Sequence, residues 1–469
     1  VSALETYDGQ DRMRRQVRAN ATLFHLSFPL FLQSLVALVV MLFDTMIISA
    51  YSAGAAAAVS IANQILMVAF EVSTLLGIGG VILISRALGA GNEAQARAIA
   101  AVAIVANTGL GIGLGVVLAI AGPLVLSLME TTDAVARDAR LYILFVSGAL
   151  ISICFSAAAV ACLRGFGHSR IILLLGVSGS VFYLALEYVF ILGFGPIPAL
   201  GATGSALGTL VMRTVVAIVL VCVLAKVLRL RLWSVRLASQ WPLVRRLFGL
   251  SFPSVSDYIA YGVYQLILVG FIAAFGVTDV VSRAYVMIAV SFLTLVIMAI
   301  SQGNEVLLGY HQGAGRMGQA HAQAVRSTVI AAAAATSLAT LLYFLSDRFI
   351  GLFTQQADVL DLSRRLLWLT IFLQPGFAAN IILFHSLRAV GDVRIPVLVS
   401  QGLTWGLSLP LAWLFCVHYG HGVVGIWYAL IIEETMKAIL MSLRWTQLNR
   451  QQAASRLDPV EGAGEPEGA

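Results

Sequence analysis

The chain has 469 residues, of which 59% are hydrophobic and only 11% charged, with a formal net charge of +6. Soluble domains carry about 25% charged residues, so a water-soluble globular protein is excluded. No alternation of apolar and polar residues suggests a membrane β-barrel; what remains is an all-α polytopic membrane protein, with apolar runs long enough to cross a hydrocarbon core of about 30 Å.

Twelve spans are predicted. The segment 1–20 precedes them and carries Arg12, Arg14, Arg15 and Arg18. The first span, 21–50, contains Pro29 and the stretch VVMLFDTMIIS, in which Asp44 lies among apolar residues. A carboxylate at the centre of a membrane helix costs about 2.5–3.5 kcal/mol, so it requires a reason. Pro29 predicts a helix kink through loss of an i→i−4 hydrogen bond, unless it falls in the first turn. The span is too long for a cleavable signal and no A-x-A site follows, so it is expected to be retained.

Span 55–85 carries Glu71 in ILMVAFEVSTLLG, a candidate cleft-lining group or a helix–helix hydrogen-bonding group. Span 95–121 contains TGLGIGLG, which lacks GxGxxG spacing and a preceding strand, so it reads as small-residue helix packing. Span 139–163 leads to LRGFGHSR, and span 170–193 holds Glu187 in LALEYVFILGFG. Span 201–227 contains Arg213, and the connection 228–246 is crowded with basic residues.

In the second half, span 247–275 holds Pro253, a second kink candidate, and Asp257 followed by Tyr258, Tyr261, Tyr264 and Gln265. Residues on adjacent turns make a polar–aromatic face suited to a cationic or aromatic substrate. Glu305 lies near the inner end of span 280–308, where solvation is easy. Spans 319–346, 362–387 (with Asn380), 395–417 and 422–445 follow; Glu433 and Glu434 in the last read as helix–helix groups. The tail 446–469 is polar from Gln451 and expected to be disordered.

Basic residues crowd the even-numbered connections, and the connections near 51–55 and 193–200 have none. This positive-inside pattern explains the net charge without nucleic acid and predicts that both termini are cytoplasmic. Cys154, Cys162, Cys222 and Cys416 lie in or at the end of apolar spans without metal-ligand spacing and read as packing residues.

An internal repeat organises the whole. LSFP occurs at 26–29 and 250–253, GAG at 89–91 and 313–315, Leu163-Arg164 matches Leu387-Arg388, and Gly167 matches Gly391, always 224 residues apart. Six spans per copy is an even number, so the copies, 21–227 and 247–445, enter the membrane in the same sense. They are expected to form two six-helix bundles related by a pseudo-two-fold axis along the membrane normal, with a substrate cleft between them.

Asp44 and Glu187 each lie six residues before the outer end of a span running outward, so they share a depth of roughly 9 Å. Two facing carboxylates can hold a proton, or with further oxygens a sodium ion; the alternative is that each bonds a hydroxyl or snorkels outward. The repeat places Leu268 and Leu411 opposite them, so the acids occur in the first copy only. Arg213 does recur as Lys437 and looks architectural.

Phe28-Pro29 followed by Phe43-Asp44-Thr45, the two GAG turns, LRGFGHSR (163–170), LRAVGDVR (387–394) and LEYVFILGFGPIPALGATGSALGT (186–209) are jointly specific. With these motifs the chain resembles the multidrug and toxic compound extrusion (MATE) transporters over residues 20–445. The resemblance implies a monomeric, cofactor-free antiporter in the bacterial inner membrane that expels organic cations or amphiphilic drugs in exchange for H⁺ or Na⁺. It implies a coupling site at Asp44, Glu187 and Thr209, and a cavity to which Glu71, Asp257, Tyr261, Gln265 and Asn380 are the candidate contributors. The fifth-span acid of the family is usually Asp with Asn four residues earlier; Glu187 with Tyr183 loses that amide oxygen, which favours H⁺. A flippase for lipid-linked molecules is the rival reading, and it requires a cationic cavity, for which only Arg213 is well placed. No catalytic motif supports an intramembrane enzyme.

Overall fold

The computed structural model describes residues 22–127, 132–196 and 198–457. The N-terminal arginines and the end of the tail lie outside the described residues. Twelve long helices follow the predicted spans: α1 Leu23–Tyr51, α2 Ala53–Gly89, α3 Glu93–Ser127, α4 Asp133–Gly165, α5 Ser169–Leu192, α6 Gly201–Leu228, α7 Trp241–Ala273, α8 Val277–Gly313, α9 Met317–Phe344, α10 Ala357–Ala389, α11 Arg394–His418 and α12 Gly422–Leu457.

Eleven of these are long and apolar enough to cross a membrane. The twelfth, α12, carries Glu433, Glu434 and Lys437 near its middle, two acids sharing one ammonium: Lys437 Nζ lies 2.6 Å from Glu433 and 3.6 Å from Glu434. The spacings of four and three residues put all three on one face. This helix also continues to Leu457, beyond the expected end at 445, because QLNRQQAASRL is made mostly of good helix formers.

Pro29 and Pro253 both lie inside their helices, not in the first turn. The glycine run of α3 is a packing surface as expected: Gly111 abuts Cys154 and the Leu150 carbonyl, and Gly115 abuts the Ser147 carbonyl, all on α4. Large apolar side chains such as Phe24, Ile120, Leu174 and Leu266 point outward, as they must where the solvent is hydrocarbon.

The two bundles meet along a seam formed by α1 and the second half of α2 on one side and α7 and α8 on the other. The seam has the symmetry of the repeat. Gly303 on α8 lies against the Ser27 hydroxyl of α1, and its counterpart Gly79 on α2 donates its amide to the Ser251 hydroxyl of α7 at 2.8 Å. At the end that carries the GAG turns, Gly89 abuts the Tyr310 carbonyl and Gly313 abuts the Arg86 carbonyl. Tyr310 donates its hydroxyl to the Gly165 carbonyl at 3.0 Å, and Arg86, at the repeat-related position, donates to the Ala389 carbonyl at 2.8 Å. Every one of these pairs is matched by a partner pair 224 residues away. The bundles are therefore shut against each other at the GAG end.

Candidate functional site

Asp44 lies seven residues before the end of α1, which packs along α5, and α5 in turn packs along α6. The α5–α6 contact is close because Gly204 leaves room for the Phe190 carbonyl and Gly208 lies over the Glu187 stem. That approach fixes Glu187, which is fully buried and accepts a hydrogen bond from Ser205 at 3.0 Å. Asp44 and Tyr183 are neighbours of Glu187. Tyr183 stands 3.5 Å from the Thr209 hydroxyl, so α5 and α6 are joined twice around the acid.

Asp44 Oδ1 and Glu187 Oε2 are buried and have no hydrogen-bond partner among the described residues. Buried carboxylate oxygens are almost always satisfied, so two unsatisfied ones on neighbouring side chains are a site in search of a cation. Beside them opens a cavity of about 650 Å³ lined by Asp44, Tyr183, Thr209 and Phe70, with Arg164 and Arg213 elsewhere in its lining. The sequence put Asp44 and Glu187 at one depth and the family resemblance added Thr209; the structure adds Tyr183, Ser205 and, next to them, Tyr142, whose hydroxyl faces Asn63 at 3.4 Å.

The other candidates are distributed elsewhere. Glu71 is half-buried, with its carboxyl unbonded among the described residues. Asp257 accepts a hydrogen bond from Gln401 on α11, and Gln401 accepts from Trp405 at 2.8 Å. Gln265 donates to the Tyr261 hydroxyl at 2.7 Å and accepts from Arg283 at 2.8 Å. Asn380 donates to Glu434 at 2.9 Å.

Two expectations are corrected. The polar–aromatic stripe of α7 does not form one face on the cleft. Tyr264 is fully buried and turned to α11 and α12, 2.6 Å from Ser408 and 3.3 Å from Glu433, while Lys437 sits 5.9 Å over the Tyr261 ring. The Tyr261 and Tyr264 rings lie 5.8 Å apart, so both tyrosines turn towards α12 and the core of the second bundle. Glu305, expected to be solvated, is 1% exposed, because α8 runs on to Gly313 and leaves the acid two turns inside.

Glu305 pairs there with Arg388 of α10 at 2.9 Å, and close by Arg164 of α4 crosses the seam to Gln302 at 2.7 Å. Glu305→Gln is expected to destabilise the protein by about 3–5 kcal/mol, because it strands the Arg388 charge in a dry interior. Thermal unfolding in detergent measures the loss. Adding Arg388→Met to Glu305→Gln should recover most of it, and equal losses in the single and double variants would contradict a buried pair.

The comparisons with known proteins fit this geometry. The family model MatE matches residues 29–189 and again 253–414, one match per bundle. The chain belongs to the MatE family. It is 30% identical over 425 residues to the uncharacterised transporter YisQ of Bacillus subtilis, covering 90% of this chain and 93% of that protein. It is 23% identical to the multidrug resistance protein MdtK of Edwardsiella ictaluri (94% and 98% covered), and 20% identical to the probable multidrug resistance protein NorM of Thermotoga maritima (85% and 86%). Among solved structures, a multidrug resistance MATE transporter in an outward-facing conformation superposes with a TM-score of 0.82 at 18% identity, covering 92% of this chain and 96% of that one. A MATE structure in the bent conformation gives 0.83 at 17% identity, with 96% and 99% covered.

In this MatE chain the second bundle has a polar core that sequence reading underestimated. Glu433 accepts from Thr404 at 2.7 Å, and both Thr404 and Ser408 project from a π-helical turn of α11, Thr404–Ser408. Such turns re-aim side chains at sites of function or strain. The readable signal was the Glu433, Glu434, Lys437 spacing; nothing local marked Thr404 or Ser408.

Proposed function

We propose that the protein is a secondary active antiporter that exports amphiphilic organic cations, driven by inward movement of a cation through the Asp44–Glu187 pair. The observation that carries this is the two unpartnered buried oxygens, Asp44 Oδ1 and Glu187 Oε2, beside an open cavity. An ionised carboxylate only accepts hydrogen bonds, so these two groups are joined when a proton or a metal cation lies between them. Protons are favoured over sodium, since Ser205 already occupies Glu187 Oε1 and Tyr183 takes the place of a neutral amide oxygen.

With both termini and the basic connections in the cytoplasm of a bacterial inner-membrane protein, the shut end of the seam is the cytoplasmic end and the conformation is outward-facing. Rocking of the two bundles about the seam then gives alternating access. In reconstituted vesicles, an imposed pH gradient should drive efflux of a fluorescent organic cation equally well with and without sodium. A strict requirement for sodium would overturn the choice of ion, and no cation efflux under either gradient would overturn the antiporter reading.

A flippase for lipid-linked substrates is the second reading, and the observation in its favour is Arg164 and Arg213 on the wall of the same cavity. Guanidinium groups suit phosphate. The efflux assay separates the two, since a flippase moves no fluorescent cation.

A further inference from the structure

A groove of about 800 Å³ opens on the seam at its shut end, between α1 and α2 of one bundle and α8 and α9 of the other. Its polar side is basic: Arg316 and Arg326 line it together with His311, and no acidic residue does. Gln319, Gln323, Arg326 and Ile330 fall on one face of α9 by their spacing of four, three and four residues, so the polar stripe descends from the helix start and becomes apolar. Arg326 is nine residues past Met317, about 14 Å along the helix. It is exposed and has no hydrogen-bond or ion-pair partner among the described residues. A guanidinium at that depth in a membrane is costly and calls for a counter-charge. Apolar side chains complete the lining: Ile330 below Arg326 on α9, and Phe24 of α1 and Ile300 of α8, with Phe24 67% exposed.

We infer that this groove binds an anionic phospholipid, its phosphate held by Arg316 and Arg326 and an acyl chain lying along Phe24, Ile300 and Ile330. The guanidinium fork matches phosphate geometry and carries the charge the headgroup lacks. The apolar wall has no use for a free inorganic anion, and the arginine-rich segment before Thr22 would bring like charges to a basic groove. Because α1 and α2 face α8 and α9 across the groove, a lipid seated there bridges the two bundles and favours the shut end. The groove is separate from the Asp44 cavity and the inference does not depend on the transport reading.

The experiment uses the full chain in detergent with phosphatidylglycerol or phosphatidylcholine added, read by native mass spectrometry of retained lipid and by thermal unfolding. Phosphatidylglycerol should be retained preferentially and should raise the unfolding temperature. Arg326→Ala should weaken retention about tenfold, as loss of a charge-assisted hydrogen bond predicts, and Arg326→Lys should keep most of it. Equal retention of the two lipids, or unchanged retention in Arg326→Ala with Arg316→Ala, would overturn the proposal. So would stabilisation by inorganic phosphate alone to the same extent, which indicates a free-anion site, or phosphatidylglycerol binding only after removal of residues 1–20, which indicates that the chain's own segment fills the groove.

Discussion

Asp44→Asn is expected to reduce cation-coupled efflux to background while leaving insertion and folding intact. Asn keeps the shape and can still hydrogen-bond Glu187, so the α1–α5 contact survives; what disappears is the second negative charge. With one carboxylate left, Glu187 gains a permanent neutral partner, and there is no longer a pair whose occupancy by a cation must alternate. Glu187→Gln is expected to be equally severe. Ser205→Ala removes one hydrogen bond to Glu187 but leaves both carboxylates in place, so coupled transport should fall less than in either acid variant. The check is substrate efflux from everted membrane vesicles, with protein amount and monodispersity measured for each variant. Coupled transport at the native rate in Asp44→Asn would remove the first bundle's acids from the mechanism.

The depth of that pair was legible because helical rise is fixed: two acids six residues from the outer ends of two like-directed spans must lie in one plane of the membrane. Ser205 and Tyr142 carry no such cue. A serine or tyrosine in a membrane helix costs little, so its presence does not demand a site, and only the packing of α6 and α4 against α5 reveals the contact. The repeat was legible where residues are identical, as at Gly89 and Gly313. It was hidden at Arg86 and Tyr310, which differ in charge and shape and yet do the same thing: each reaches across the seam to a backbone carbonyl at a matched position, Ala389 or Gly165. A carbonyl acceptor places no demand on donor type, so the pair could diverge without losing the contact. The ends of the helices were the least legible part. Where the last turns are polar but helix-forming, as after residue 308 and after 445, composition suggests solvent while the backbone continues, and this is why the sequence alone points to a solvated Glu305.

Gly89→Leu is expected to hold the seam open at the end where it is now shut. A Cβ at position 89 would collide with the Tyr310 backbone carbonyl, and that carbonyl, held in the last turn of α8 by the Ala314 amide, cannot rotate away as a side chain can. The only relief is separation of α2 from α8. That separation also breaks the Arg86–Ala389 and Tyr310–Gly165 hydrogen bonds, one of them charged and together worth about 2–4 kcal/mol. Moving a two-state equilibrium from one extreme to the other takes about 5.5 kcal/mol, and a steric overlap added to those two lost contacts reaches that range. Spin labels on Asn92 and Gln319, both exposed and on opposite bundles, with exposed Cys222 replaced, report the gap directly. The native chain should give mainly the short distance and Gly89→Leu mainly a longer one, with transport lost because the shut state can no longer be visited. Tyr310→Phe removes a single hydrogen bond without a clash and should shift the distribution only slightly. If Gly89→Leu instead gave the native distance, the contact between Gly89 and Tyr310 would not be what holds the bundles together, and the shut end would have to be maintained by Arg164–Gln302 and the Ser27 and Ser251 contacts further along the seam.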